Sequence, residues 1–274
     1  MRVFLADDRR PKADGCHCLL LKSGLTQMIA ALLTTAALGG ASALGYSAMA
    51  PRSQWFGRTF TGSSAESRQI ALTYDDGPND RQTSALLEIL DKQGVKATFF
   101  MVGRYAGLYP KVAEAVAQAG HVIGNHTYTH PNLMLCSRTQ IRLQLEECER
   151  ALRGAVGEHS RLFRPPFGAR RPQVLRVARE MGLTPVMWSI TGYDWNANRA
   201  DKITAHVVGR VHGGDVILLH DGGHLAAGAD RSQSVIATDR IIQRCRDLGY
   251  TFVTVPEMIA GGTNLAPPDV KRQF

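Results

Sequence analysis

Two adjacent carboxylates come first among the residues able to do chemistry. Asp75 and Asp76 stand in Thr73-Tyr74-Asp75-Asp76-Gly77-Pro78. On a continuing strand neighbouring side chains alternate faces, so the two acids should point to different places and serve different ends. One can ligate a cation while the other, a little farther off, accepts a proton from water. Alone, Asp-Asp-Gly-Pro also reads as a turn, because Asp, Gly and Pro each favour turns for separate reasons. His126 and His130, in His126-Thr127-Tyr128-Thr129-His130, are four positions apart, which brings two imidazoles to one side if the segment makes a helical turn. Each histidine alone is an ordinary surface or core residue. With Asp76 they form two imidazoles and one carboxylate, a three-ligand set that leaves positions for water and substrate. Three more polar clusters follow: Arg164-Pro165-Pro166-Phe167-Gly168, Tyr193-Asp194-Trp195 and Leu218-Leu219-His220-Asp221.

What must position these groups is an alternation of short apolar runs and longer amphipathic segments past residue 60, the α/β signature. Strands are expected at Gln69 to Tyr74, Ala97 to Val102, His121 to Asn125, from Leu162-Phe163, at Pro185 to Ile190, Asp215 to Leu219 and Tyr250 to Val255. Helices are expected at Thr83 to Lys92, Tyr109 to Ala119, Thr139 to Leu152, Gln173 to Met181, Asp201 to Val211 and Ser234 to Asp247. About seven strand–helix units result, which can close into a barrel or stay open as a doubly wound sheet. No Gly-rich phosphate loop follows the first strand, so a nucleotide-binding open sheet loses its main support. Every polar cluster directly follows an expected strand, where barrel enzymes gather their active sites.

The chain has 274 residues, with 44% hydrophobic and 20% charged, an ordinary globular composition. Its net charge of +8 is dispersed, without a Lys/Arg block interleaved with aromatics, which argues against nucleic acid as a partner. Met1 to Lys22 is polar and basic, and Ser23 to Ala50 is free of charge and rich in Ala and Leu. This resembles an export signal or membrane anchor, the most apolar part being Met28 to Leu44. Small-residue cleavage patterns occur at Ala41-Ser42-Ala43 and at Ala48-Met49-Ala50, the second weakened by Pro51. The expected organisation is a signal or anchor over 1–50, a linker over 51–66, a catalytic domain over 67–262 and a tail over 263–274. Cys16 and Cys18 fall in the first segment; Cys136, Cys148 and Cys245 have no metal-thiolate spacing and read as small buried hydrophobes.

The five clusters, in order, spacing and strand context, resemble those of the metal-dependent polysaccharide deacetylases of carbohydrate esterase family 4, over about residues 67 to 262. That resemblance implies an irregular (β/α) barrel with about seven parallel strands. It implies a metal triad of Asp76, His126 and His130, Asp75 as catalytic base and His220 as catalytic acid. Arg164 would hold Asp75, the Phe167 N–H would face the oxyanion, Asp194 would orient His220, and Trp195 and Leu218 would wall the acetyl pocket. Many family members carry a second acid where this chain has Thr191, a departure expected to touch the groove rim or the support of Asp194. The implied reaction removes the N-acetyl group from N-acetylglucosamine-containing glycans, releasing acetate and a free amino sugar. Chitooligosaccharides are the first substrate expected and peptidoglycan the second. Zinc is the first choice of divalent ion, with cobalt or nickel as alternatives. An exported or membrane-anchored enzyme of the cell envelope is implied. The competing readings are a glycan-binding module without catalysis and a hydrolase of non-sugar C–N bonds.

Other residues read more plainly. His121 is expected to be a satisfied structural histidine, Trp188 and Phe99-Phe100 core, and Asp230 part of a helix cap. His224 and Asp221 lie in a Gly-containing loop that either touches substrate or is merely solvated.

Overall fold

A computed structural model describes residues 33–35, 42, 45–196 and 198–263. The basic N-terminus, most of the apolar stretch, Cys16, Cys18, Ala41, Ala43 and the tail from 264 lie outside the described residues. Among the described residues no helix is long and apolar enough to cross a membrane.

The first strand, β1 (Gln69–Asp75), is buried at all but its first residue, as its unbroken apolar run requires of a parallel strand covered on both faces. It pairs in parallel with β2 (Thr98–Met101) on one side and β7 (Val216–His220) on the other. Outward from β2 lie β3 (Val122–Asn125), β4 (Leu162–Phe163) and β5 (Thr184–Pro185); beyond β7 lies β6 (Ile190–Thr191), and β8 (Thr251–Phe252) pairs with the start of β1. All ladders are parallel and the sheet curls into an irregular (β/α) barrel, as expected. Among the described residues no ladder joins β5 to β6.

The expected strand Pro185 to Ile190 is the main correction. It is divided because it changes partners: Pro185 pairs with β4, Ile190 pairs with β7, and Val186 to Ser189 cross the gap between them. The expected strand ending at Val255 likewise stops at Phe252 and gives way to a helix at Val255–Thr263. Residues 51–66 are bonded to the domain, with Phe60 bridged to Val186 and Gly62 to Asp215.

The crossover helices are α1 (Asp80–Lys92), α2 (Gly103–Leu108), α3 (Pro110–Gln118), α4 (Arg138–Val156), α5 (Pro172–Glu180), α6 (Ala200–Val208) and α7 (Ser232–Asp247), and the C-terminal helix is α8. α1 begins earlier than its apolar pattern suggests because Asn79 caps it, accepting from the N–H groups of Arg81 and Gln82. α4 has a capping box between Ser137 and Gln140 and buries the expected stripe of Ile141, Leu145, Cys148 and Leu152. α2 was not expected, since two glycines in Gly-Arg-Tyr-Ala-Gly-Leu weaken any helical signal. Cys136, Cys148 and Cys245 are free thiols, the last two buried.

Candidate active site

Strand register sets the first pair of groups. Asp75 and His220 end β1 and β7 and are direct partners across that ladder, so they lie side by side at the C-terminal edge of the barrel. Arg164, at the end of β4, is fully buried and fixes Asp75: Nη1 donates to Asp75 Oδ1 at 2.7 Å and to Thr73 Oγ1 at 2.8 Å. Its Nη2 donates to the Met187 carbonyl at 2.9 Å, in the segment that crosses the barrel gap, and the guanidinium lies 4.1 Å over the Phe100 ring. Held through Oδ1, Asp75 presents Oδ2, which lies 3.8 Å from His126 Nε2.

The second set is carried on corners. Asp76 leaves the strand with φ 72°, so the expected alternation ends at Asp75 and both carboxylates face one site. Nor do His126 and His130 meet on a helical turn; Thr127 (φ 67°) and His130 (φ 60°) fold the segment back on itself. Asn125 Oδ1 accepts from Thr127 N and Thr127 Oγ1 from His130 N, while Gln144 Oε1 from α4 accepts from the N–H groups of Tyr128 and Thr129. The result places His126 Nε2 3.5 Å and His130 Nε2 3.1 Å from Asp76 Oδ1.

These three residues are buried, and their donor atoms lie within 4.8 Å of one another. Asp76 Oδ1 has no hydrogen-bond partner. His126 Nδ1 lies 2.8 Å from the Arg164 carbonyl, which orients the ring so that Nε2 is the nitrogen facing Asp76. Burial, with the nearby His126, pushes His130 down to about 3, so it stays a neutral imidazole. Burial would raise Asp76, but the facing His126 and the charged His220 outweigh it and hold the acid well below the usual carboxylate range. An orphaned carboxylate oxygen facing two imidazole nitrogens fits a divalent cation.

His220 sits against Asp194: Nδ1 donates to Oδ1 at 2.8 Å and the backbone N–H to Oδ2 at 2.8 Å. Burial alone would lower His220; the Asp194 carboxylate, with the charges of Asp76 and Asp75, raises it to about 9. Ser234 Oγ on α7 donates to Asp194 Oδ2 at 2.7 Å, a partner that no sequence pattern announced. Thr191 Oγ1 accepts from Tyr193 N at 3.4 Å. Asp221, just past β7, is buried, accepts from Thr83 Oγ1 at 2.5 Å and is pushed up to about 7 by burial.

Asp75, Asp76, His126, His130 and His220 open into one cavity of about 570 Å³. Trp195 and Leu218 line it, Trp195 edge-on to His220 at 5.4 Å. Trp188 lines it too, although it also packs on the core as expected; Phe99 and Phe100 are wholly buried. Phe167, at φ 58°, turns its ring edge-on to His130 at 4.6 Å. Its corner is anchored from below by Arg170, a buried guanidinium facing carbonyls alone: Nη1 donates to Gly168 (3.0 Å) and Ala48 (3.4 Å), and Nη2 to Ala50 (2.7 Å), Ser53 (2.7 Å) and Pro51 (3.4 Å). Of the plainer residues, His121 is structural, its Nδ1 accepting from Ala97 N. His224 enters the cavity, as described below.

A polysaccharide deacetylase family profile matches residues 62–186. The chain is similar to the peptidoglycan-N-acetylglucosamine deacetylase of Bacillus cereus, 40% identical over 192 residues, with 69% of this chain and 68% of the relative covered. It is also similar to the chitooligosaccharide deacetylase of Sinorhizobium fredii, 37% identical over 206 residues, with 73% and 96% covered. Its fold matches the crystal structure of the Bc1960 peptidoglycan N-acetylglucosamine deacetylase with a TM-score of 0.68 at 38% identity, over 73% of this chain and 92% of that one.

Proposed function

The chain belongs to the polysaccharide deacetylase family and is a deacetylase; on that premise we propose that it removes N-acetyl groups from chitooligosaccharides, with peptidoglycan as the second substrate. The observation that carries this reading is the convergence of Asp75, His220 and the Asp76, His126, His130 set on one cavity. A divalent cation held by that set, zinc first and cobalt or nickel next, supplies the Lewis acidity that polarises an acetamide carbonyl and makes water acidic.

The remaining work falls to the chain. Asp75, fixed by Arg164, takes the proton from water as it attacks the acetamide carbon, a contribution on the order of 10²–10⁴ in rate. The Phe167 N–H faces the oxygen on which negative charge develops, and one such donor is worth roughly 2.7–4 kcal/mol. His220, aligned and kept charged by Asp194, gives its proton to the sugar nitrogen, so that acetate and a free amino sugar separate. Trp195 and Leu218 enclose the acetyl methyl. The N-terminal segment supports export to the cell envelope or anchorage there.

Acetate release by the full chain, from acetylated chitooligosaccharides and from peptidoglycan, tests this. Release that is fastest on chitooligosaccharides and is abolished by a strong chelator is expected. Faster release from peptidoglycan would reverse the substrate order. Retention of oligosaccharide without any acetate would leave a glycan-binding module instead.

A further inference from the structure

The wall that follows β7 carries an imidazole to which the reaction assigns no task. The loop from Gly222 to Arg231 passes so close to the first strand that a Cβ on Gly222 would lie 2.0 Å from the Asp76 carbonyl oxygen, so a larger residue has no room there. Its carbonyls are then bound one after another. Arg231 Nε donates to Gly222 O at 2.7 Å, Tyr105 Oη to Gly223 O at 3.2 Å, Arg104 Nη2 to His224 O at 3.1 Å, and Asn79 Nδ2 to Ala229 O at 2.9 Å. A loop tied to four separate side chains holds its backbone in one conformation, and what it holds in place is His224.

The His224 ring lies nearly flat over His130, with centroids 5.0 Å apart and planes 29° apart, and meets the edge of Phe167 at 5.2 Å. Its Nδ1 is 3.9 Å from Asp76 Oδ2, the oxygen other than the one that faces His126 and His130. That distance is too long for a hydrogen bond, and His224 does not join the close set of cation donors. The side chain is 38% exposed and lines the cavity. With Nδ1 turned toward Asp76, Nε2 is the nitrogen left for a ligand, and an imidazole nitrogen can hydrogen-bond a hydroxyl there.

We propose that His224 is a substrate-binding residue whose Nε2 hydrogen-bonds a sugar hydroxyl of the glycan, fixing the acetamide over the cation site. This rests on the glycan deacetylase reading above. Binding of an acetylated chitooligosaccharide is measured by calorimetry on metal-loaded full chain carrying Asp75→Asn, with and without His224→Phe or His224→Gln. The Phe variant keeps a flat ring without nitrogen, and the Gln variant keeps a hydrogen-bonding tip. Binding about fivefold to tenfold weaker with Phe, and near the parent with Gln, is expected, the worth of one ordinary hydrogen bond. With Asp75 present, His224→Phe should raise KM by a similar factor and change kcat less, and a chelating-dye competition should find cation affinity unaltered. Unchanged oligosaccharide binding by the Phe variant, or a loss of cation affinity, overturns the proposal. If the parent chain releases no acetate at all, the deacetylase reading itself falls and takes this inference with it.

Discussion

Left-handed backbone occurs in two settings in this molecule, and they are filled differently. Behind α1, α3, α5 and α7 the chain turns at Gly94, Gly120, Gly182 and Gly249, with φ of 56°, 77°, 72° and 79°. Each turn closes with the paired bonds of a helix end, such as Gly94 N to Asp91 O and Val95 N to Leu90 O. Around the cavity similar positive φ values are taken by Asp76, Thr127, His130, Phe167 and Tyr193, the non-glycine residues with positive φ among those described. Strain at such positions is on the order of 1–3 kcal/mol each. Where only the chain must reverse, glycine does it freely. At the rim the reversal also aims a side chain, so the strained residue is kept and the neighbouring hydrogen bonds hold it.

A second contrast lies within the site: Asp75 and His220 are placed by unstrained strand register, whereas the cation donors depend on the corners. The largest effect should come from separating these halves. Asp75→Asn should lower kcat by about 10²–10⁴ while leaving cation affinity intact, and His126→Ala should lose cation and turnover together, as read by acetate release and dye competition. If Asp75→Asn also lost the cation, the two halves would not be independent.

The next effect concerns protons. On the proposed mechanism His220 donates only while charged, so acetate release should fall as pH rises through about 9. Asp194→Asn removes the carboxylate that raises this histidine and leaves the burial that lowers it. The alkaline limb should then move to the ordinary histidine value near ~6.5 or below, a loss of roughly 100-fold at a pH near ~8.5. An alkaline limb that stayed in place would assign the proton donor elsewhere.

A smaller effect should follow from weakening a corner without touching a donor. Asn125→Ala removes the acceptor for Thr127 N and should lower cation affinity by about 10–100-fold, the usual consequence of losing an outer partner of a ligand. The smallest compares the two kinds of corner directly. Gly182→Ala has space for the methyl group, with the nearest atom 3.6 Å away, and should destabilise the fold by about 1–2 kcal/mol in denaturant melts while the folded fraction stays active. Phe167→Gly should keep or slightly raise stability yet lower turnover, because the N–H remains but the freed corner no longer holds it in place. Equal behaviour of the two would erase the distinction.

The same distinction explains what the sequence disclosed. Register and periodicity are local patterns, so β1, the stripe on α4 and the clusters behind each strand could be read directly. The two-imidazole, one-carboxylate set is legible by residue type, but its means of assembly is not: four-residue spacing would join the imidazoles on a helical turn, whereas Asn125 and Gln144 hold a reversed corner. Pro185 to Ile190 carries the apolar composition of one strand, and nothing in it tells that partners change midway. Ser234 looked like any residue near a helix start, because its bond to Asp194 is made only by tertiary folding.

Arg170 bears on where the polypeptide can be shortened. Two of the main-chain oxygens that solvate its buried cation belong to Ala48 and Ala50, inside the very tripeptide that a leader peptidase would read as a cutting signal. A scission after Ala50 would strip both from beneath the Phe167 corner, whereas one upstream of Ser47 would leave every acceptor in place. The catalytic body thus reaches back into what looks like disposable leader, and recombinant chains trimmed to Pro51 would begin too late.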